Sequence, residues 1–347
     1  MSMRKFLLRS VAISGFALAA IGTADASPYS AVYAFGDSLS DAGNLFQLSS
    51  SPTNGIPNQP LPPYSNGRFT NGNTWVQDLS LLLGNGPLTA SLAGGNDYAY
   101  GGARTGTTAV GLATFIDLPS QLAQFTVTHV SAPPSALYTL DIGANDIFGA
   151  LSQIAVSTLT FTQAQDAVAA AAVNAAAFAT ALHSLGALQL VLYDVPDLAQ
   201  TPAFKAFGVL ATTLTTEFNA DLQTDLAAVK DAGLRVDTLG AFARQKAVLA
   251  SPLAFGFTDV INPCWTGGFQ GPSTGATLCD PTAAGQDSHL FWDQVHPTEA
   301  GHALVAQAAL QAIAEPGALG LLVAGLAALA MVQYTRFARP LRRAKAR

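Results

Sequence analysis

Short apolar runs alternate with longer stretches whose apolar positions recur at helical spacing. Ala31-Val32-Tyr33-Ala34-Phe35 is a continuous apolar run that ends in Gly36-Asp37, which predicts a buried strand feeding a turn. Ala136–Asp141 and Gln189–Tyr193 repeat that pattern, and Leu234–Thr238 predicts a fourth strand. Between them, Asn73 is placed to cap a helix through Leu83 that Gly84 stops. Thr162-Gln163-Ala164-Gln165 fits a capping box before an alanine-rich helix to Leu182, ended by Gly186. Ala203–Ala232 reads as mainly helical, and Glu299–Ala314 as a final helix. Residues 49–73 and 262–288 are rich in Gly, Pro, Ser, Thr or Asn and read as irregular loops. Apolar strands alternating with helices predict an α/β fold, one domain with a parallel sheet covered on both faces.

The two ends break this pattern. Arg4, Lys5 and Arg9 precede an apolar run from Val11 to Ile21, and Ala24-Asp25-Ala26 follows. A basic start, a short apolar stretch and an A-x-A ending, in that order, predict a secretory signal peptide over residues 1–26. At the other end, Glu315-Pro316 precedes an uncharged stretch from Gly317 to Thr335, and six basic residues between Arg336 and Arg347 close the sequence. That stretch is long enough to enter a bilayer with its basic flank on the cytoplasmic side. The order Glu-Pro, apolar helix, Arg cluster resembles the PEP-CTERM sorting signal of exported bacterial proteins. The resemblance implies transient membrane association, processing by export and sorting machinery, and cleavage near Glu315-Pro316; a permanent anchor is the alternative. The expected organisation is a signal peptide over 1–26, a catalytic body over 27–314 and a sorting segment over 315–347, which implies a periplasmic, surface or extracellular location.

Composition sharpens this division. Half of the 347 residues are hydrophobic and only 11% are charged, which excludes a disordered chain. The formal net charge is −6, yet residues 27–314 hold seven basic and 20 acidic residues, a net of −13. So acidic a body, with its basic charge in the terminal segments, is not a nucleic-acid-binding surface. Cys264 and Cys279 are the two cysteines. An oxidising compartment permits a disulfide between them; two free thiols or half a metal site are the alternatives. No second Cys/His pair has ligand spacing, so neither a metal nor another cofactor is expected.

The chemistry-bearing residues fall at strand ends, where open α/β sheets bind ligands. Gly36-Asp37-Ser38-Leu39-Ser40-Asp41-Ala42-Gly43-Asn44 places Ser38 in a tight turn after the first strand. A serine hydroxyl is a weak nucleophile and needs an adjacent base. Asp293 and His296, in Phe291-Trp292-Asp293-Gln294-Val295-His296-Pro297, are spaced to face one point across a turn. The carboxylate could then hold imidazole Nδ1–H while Nε2 takes the serine proton. Gly271-Pro272-Ser273-Thr274-Gly275 matches the G-x-S-x-G nucleophile elbow, but that motif needs a strand before it and a helix after it. Ser273 sits in a Gly/Pro/Thr loop and reads as a loop residue. Asp37 and Asp146 read as structural hydrogen-bonding groups.

Taken together the blocks resemble the GDSL (SGNH) hydrolases. "FGDSLSDAGN", "NDYAYGGART", "GAND" and "DQVHPTEAGH" stand in the family's order, and "NGRFTNGNTWVQDL" at 66–79 is similar to its longer lipase-like members. The resemblance implies a three-layer αβα sandwich with a central, mostly parallel, flavodoxin-like sheet. It implies a Ser38-His296-Asp293 triad, and an oxyanion hole formed by the N–H groups of Ser38 and Gly102 (with Gly101 the neighbouring candidate) and the Asn145 amide. The implied activity is esterase or lipase action on an acyl ester, a lipid or an acetylated glycan. Deacetylation of an extracellular polysaccharide by the same triad is a second reading, and a catalytically idle binding protein on the same fold a third.

Overall fold

The computed structural model describes residues 28–50, 58–106 and 116–313; the proposed signal peptide and sorting segment lie outside the described residues. Four strands form one parallel sheet in sequential order: β1 (Val32–Gly36), β2 (Leu137–Asp141), β3 (Gln189–Tyr193) and β4 (Arg235–Thr238). Side chains alternate across it, as strand geometry requires. Tyr33, Phe35, Tyr138, Leu140, Leu190 and Leu192 point into the larger core, beneath α3 (Leu118–Thr128), α4 (Ala144–Ala155), α5 (Phe161–Ser184) and α6 (Val209–Asp225). Val32, Ala34, Leu137 and Val191 point the other way, against α2 (Trp75–Leu82) and the C-terminal helix Glu299–Ile313. This is the three-layer αβα arrangement, and burial on both faces is why the central strands read as apolar runs. Phe35 and Tyr138 are fully buried, each worth about 1.5–3 kcal/mol if treated as a large core side chain.

Helix α5 is 24 residues and rich in alanine, so it lies close to its neighbours. Ala164, Ala171, Ala172, Ala175 and Ala179 are buried in the same core as Leu214 and Phe218 of α6. Its apolar character therefore belongs to a core helix.

Several local expectations shift. The first-turn donor of α2 is handled from Thr74, whose N–H is bonded to Gln77 Oε1; Asn73 instead donates to Asp78. The α5 capping box is Thr160 with Gln163, two residues before the box read from the sequence, because Phe161 already begins the helix. The stretch 262–288 is not wholly irregular. Asp259–Pro263 (β5) pairs in parallel with His289–Phe291 (β6), and Ala283–Gln286 is a short helix. Chain order gives the remaining labels: α1 is Asn44–Ser49, α7 Ala227–Asp231, α8 Ala241–Ala250, α9 Ala283–Gln286 and α10 Glu299–Ile313.

Candidate active site

The first strand delivers Ser38. At its last residue, Gly36, φ is +140°, and a Cβ there would lie 2.1 Å from the Asp141 carbonyl oxygen of β2. Only glycine fits this close approach, which turns the chain at the sheet edge. The Asp37 N–H then donates to the Asp141 carbonyl at 3.2 Å, and the half-buried Ser38 follows. Beyond it, Asp41 accepts from the N–H groups of Gly43, Asn44 and Leu45 at the start of α1, and from Gly101.

The second sheet delivers Asp293 and His296. β6 runs into a turn closed by Trp292 N–H to His296 O at 2.8 Å and Thr298 N–H to Leu290 O at 3.0 Å. Within it, Asp293 Oδ1 accepts from the N–H groups of Val295 and His296. His296 Nδ1 lies 2.8 Å from Asp293 Oδ2, and His296 Nε2 lies 2.7 Å from Ser38 Oγ. The three side chains form one continuous chain, with a 258-residue separation between serine and histidine. Burial pushes the Asp293 carboxyl up, but the adjacent His296 and the hydrogen bonds it receives outweigh that and hold it below the usual carboxylate range.

Tyr64 completes the carboxylate's shell, and no sequence motif marks it. Its hydroxyl donates to Asp293 Oδ2 at 2.8 Å, and burial, with the Asp293 charge, pushes its own ionisation far up. Phe69 and Phe269 wall the imidazole, with ring centroids 5.2 and 5.9 Å from His296. Phe269 comes from the loop between Cys264 and Cys279, which are joined by a disulfide. On the chain-entropy account, closing that 15-residue separation is worth about 3 kcal/mol. Ser273 lies exposed on the same loop, with neither a strand running into it nor a helix starting from it.

Across the turn are the expected oxyanion donors. The Gly101 N–H is occupied by Asp41 Oδ2 at 2.8 Å. Among the described residues, the N–H groups of Ser38 and Gly102 have no hydrogen-bond partner. Gly102 is exposed in a left-handed turn, φ +81°. Asn145 sits in the first turn of α4, just after Gly143 at φ +111°. Its amide donates to Ala103 O at 3.0 Å and to Asp37 Oδ2 at 3.3 Å. The longer bond is the one a developing oxyanion could share.

A group of buried carboxyls supports these turns. Asp37 and Asp141 are neighbours, and Asp141 also accepts from Ser40 and from Trp75 Nε1. Burial raises both, and repulsion from Asp141 adds to the upward push on Asp37. Burial likewise lifts Asp41 to about 6 against its four backbone donors. Burial also lifts Asp146 to about 6, against hydrogen bonds from the Thr105 N–H and hydroxyl. Asp37 and Asp146 thus act as structural hydrogen-bonding groups around Ser38 and Asn145.

The raised Asp146 pKa has a measurable sign. Below about pH 4 both folded and unfolded chains carry this proton; as pH rises toward 6 the unfolded chain loses it first, and stability is lost. The stability difference between the wild type and Asp146→Asn should therefore fall by about 2 kcal/mol from about pH 4 to pH 7. Urea midpoints at the two pH values measure it, and a pH-independent difference would contradict the assignment.

One cavity shares residues with these turns, and a second is lined by their chain neighbours. The first, of about 360 Å³, is lined by Gly102, Arg104, Asn145, Phe148, Ser152 and Gln153. Leu39, Val295 and Pro297, chain neighbours of Ser38 and His296, line a mostly apolar cavity of about 320 Å³ with Leu239 and Leu304. The other histidines lie outside the Ser38–His296–Asp293 chain. His302 Nδ1 accepts the Trp75 N–H at the start of α2, and burial holds its pKa down to about 3, so it stays neutral. His129 stacks on Phe125 at the end of α3, with ring centroids 4.5 Å apart.

A family model described as GDSL-like Lipase/Acylhydrolase matches residues 32–309, nearly the whole described region. The chain belongs to this family. It is 31% identical to esterase EstA of Pseudomonas aeruginosa over 85% of its own length and 48% of that protein's. It is 26% identical to a phosphatidylcholine-sterol acyltransferase of Aeromonas hydrophila, over 86% of this chain and 95% of the relative. A thermolabile hemolysin of Vibrio parahaemolyticus is also 26% identical, over 81% of this chain and 63% of the relative. The chain thus spans about half the length of the esterase it matches. The SGNH α/β fold expected from the sequence is the fold of this family, and the parallel sheet with helices on both faces agrees with it.

Proposed function

We propose that the chain is a serine hydrolase of carboxylic esters, with Ser38 as nucleophile, His296 as general base and acid, and Asp293 as the group that orients His296. The observation that carries this reading is the 2.7 Å contact between Ser38 Oγ and His296 Nε2, with Nδ1 held by Asp293. Ser38 Oγ attacks the ester carbonyl carbon as His296 Nε2 takes the hydroxyl proton. The carbonyl π pair moves onto oxygen, where the N–H groups of Ser38 and Gly102 and the Asn145 amide stabilise the charge. Collapse breaks the bond to the alcohol oxygen, which leaves with the proton from His296. Water then attacks the acyl-enzyme, losing its proton to His296, and collapse breaks the bond between the acyl carbon and Ser38 Oγ, which takes that proton back as the carboxylic acid leaves.

Gly102 is preferred to Gly101 as the second backbone donor because the Gly101 N–H is engaged by Asp41. The apolar cavity beside Leu39 and Val295 suits an acyl chain. The terminal segments support an exported enzyme that passes through the membrane by a signal peptide and a C-terminal sorting segment, with 27–314 as the hydrolase domain.

A fluorophosphonate probe should label the protein with one equivalent, at Ser38. Turnover of p-nitrophenyl esters of increasing acyl length should accompany that labelling. A folded protein that neither labels nor turns over esters would return the chain to the class of idle binding proteins.

A further inference from the structure

The 360 Å³ cavity beside the oxyanion turn holds one cation, Arg104, whose position the triad does not explain. Its main chain is fixed: the N–H donates to Asp117 Oδ1 at 2.9 Å and the carbonyl accepts from Leu118 at 3.0 Å. Its side chain reaches over α4. A Cβ at Gly149 would lie 2.9 Å from Nη2, 3.1 Å from Cζ and 3.2 Å from Nη1 of Arg104. These three similar distances place the guanidinium flat on the helix at a residue without a side chain. Glycine inside a helix is unfavourable, and here it makes room for this group.

Among the described residues the guanidinium makes no hydrogen bond or ion pair. Its charge acts on Asp146, whose two oxygens are bonded to Thr105. Arg68, by contrast, is tied to the Gly72 carbonyl and Ser65. Arg104 therefore presents an unengaged planar donor fork to a cavity that also contains Gly102 and Asn145, together with the exposed Ser152 hydroxyl. The surrounding body carries a net charge of −13, which would repel an anion elsewhere on the surface.

We propose that Arg104 is a specificity-determining residue that binds an anionic group, a phosphate or a carboxylate, carried by the ester substrate close to the scissile bond. The guanidinium fork matches either group in bidentate geometry. The proposal rests on the ester-hydrolase reading above. It adds the charge of the substrate to that reading.

The test compares matched neutral and charged esters on the full-length protein. The pairs are p-nitrophenyl butyrate with the p-nitrophenyl monoester of glutaric acid, and dihexanoylglycerol with dihexanoyl phosphatidylglycerol. Wild type should favour the charged member of at least one pair, and the pair names the source, carboxylate or phosphate. Arg104→Gln should lower kcat/KM for that member by about 10–100-fold and for its neutral partner by less than about threefold. Arg104→Lys, which keeps the charge without the fork, should retain the neutral rate and lose part of the charged preference; it carries the test should Arg104→Gln not fold. Added salt should erode the preference in wild type. Wild type with no charge preference overturns this proposal alone, as does a variant that loses neutral and charged turnover equally. A wild type that cleaves no ester overturns both this proposal and the function on which it rests.

Discussion

Ser38→Ala should lower kcat for ester hydrolysis by about 10⁶-fold, the loss typical when a triad nucleophile is removed. His296→Ala should cost about as much, and the double variant little more, because serine and base act as one unit across the 2.7 Å contact. KM should move far less than kcat, since neither group is needed to hold the ground-state ester. Ser38 is only half-buried at a turn, so its replacement should change stability by less than about 0.5 kcal/mol. A fall in activity therefore reports chemistry. Ser273→Ala is the matched control: Ser273 lies exposed on the Cys264–Cys279 loop and should leave the rate unchanged. Equal losses in the two variants, or loss only in Ser273→Ala, would remove Ser38 from the nucleophile role.

The parts of the fold most legible in the sequence are those whose signal is local. β3 matches its expected bounds, β1 is displaced by one residue and β2 starts one residue later, because strands buried on both faces must be continuously apolar. β5 is hard to read for the opposite reason: Asp259–Pro263 is part-exposed and polar at its start, so it carries neither an apolar run nor clean alternation. The α5 cap is ambiguous because Thr160 and Thr162 both precede a glutamine by the same spacing. Only the packing of Phe161 decides which begins the helix.

The site divides in the same way. Ser38, Gly102, Asn145, Asp293 and His296 each stand in a short block of neighbouring residues, so the chain itself carries their pattern. Tyr64 does not, because its bond to Asp293 spans 229 residues and leaves no spacing to recognise. The Asp37–Asp141 pair depends on the β1–β2 register, which sets Gly36 opposite Asp141. Sequence blocks thus name the proposed catalytic groups. The groups that hold them in place become visible only once strands are paired.

Asp293→Asn tests that supporting layer with a variant that preserves shape. The amide oxygen can still accept from the Val295 and His296 N–H groups, but the amide nitrogen would face His296 Nδ1 and the Tyr64 hydroxyl. An Nδ1 forced to accept places the proton on Nε2, where it points at Ser38 and cannot receive the serine proton. The expected loss in kcat is about 10⁴-fold near neutral pH. Tyr64→Phe leaves the Asp293–His296 bond in place and removes one donor to the carboxylate, so the loss should be no more than about 10-fold. The pair also differs in acid. Asp293 is held below its usual range in the fold, so it contributes stability above the unfolded pKa of about 3.9 that is lost as pH falls through the lower folded value. Asp293→Asn lacks that contribution, and its stability deficit relative to wild type should shrink as pH falls below about 4. Steady-state kinetics, the low-field proton resonance of the His296 Nδ1–H, and acid unfolding curves read the three consequences separately. Wild-type turnover in Asp293→Asn would take Asp293 out of the triad, whatever its distance from His296.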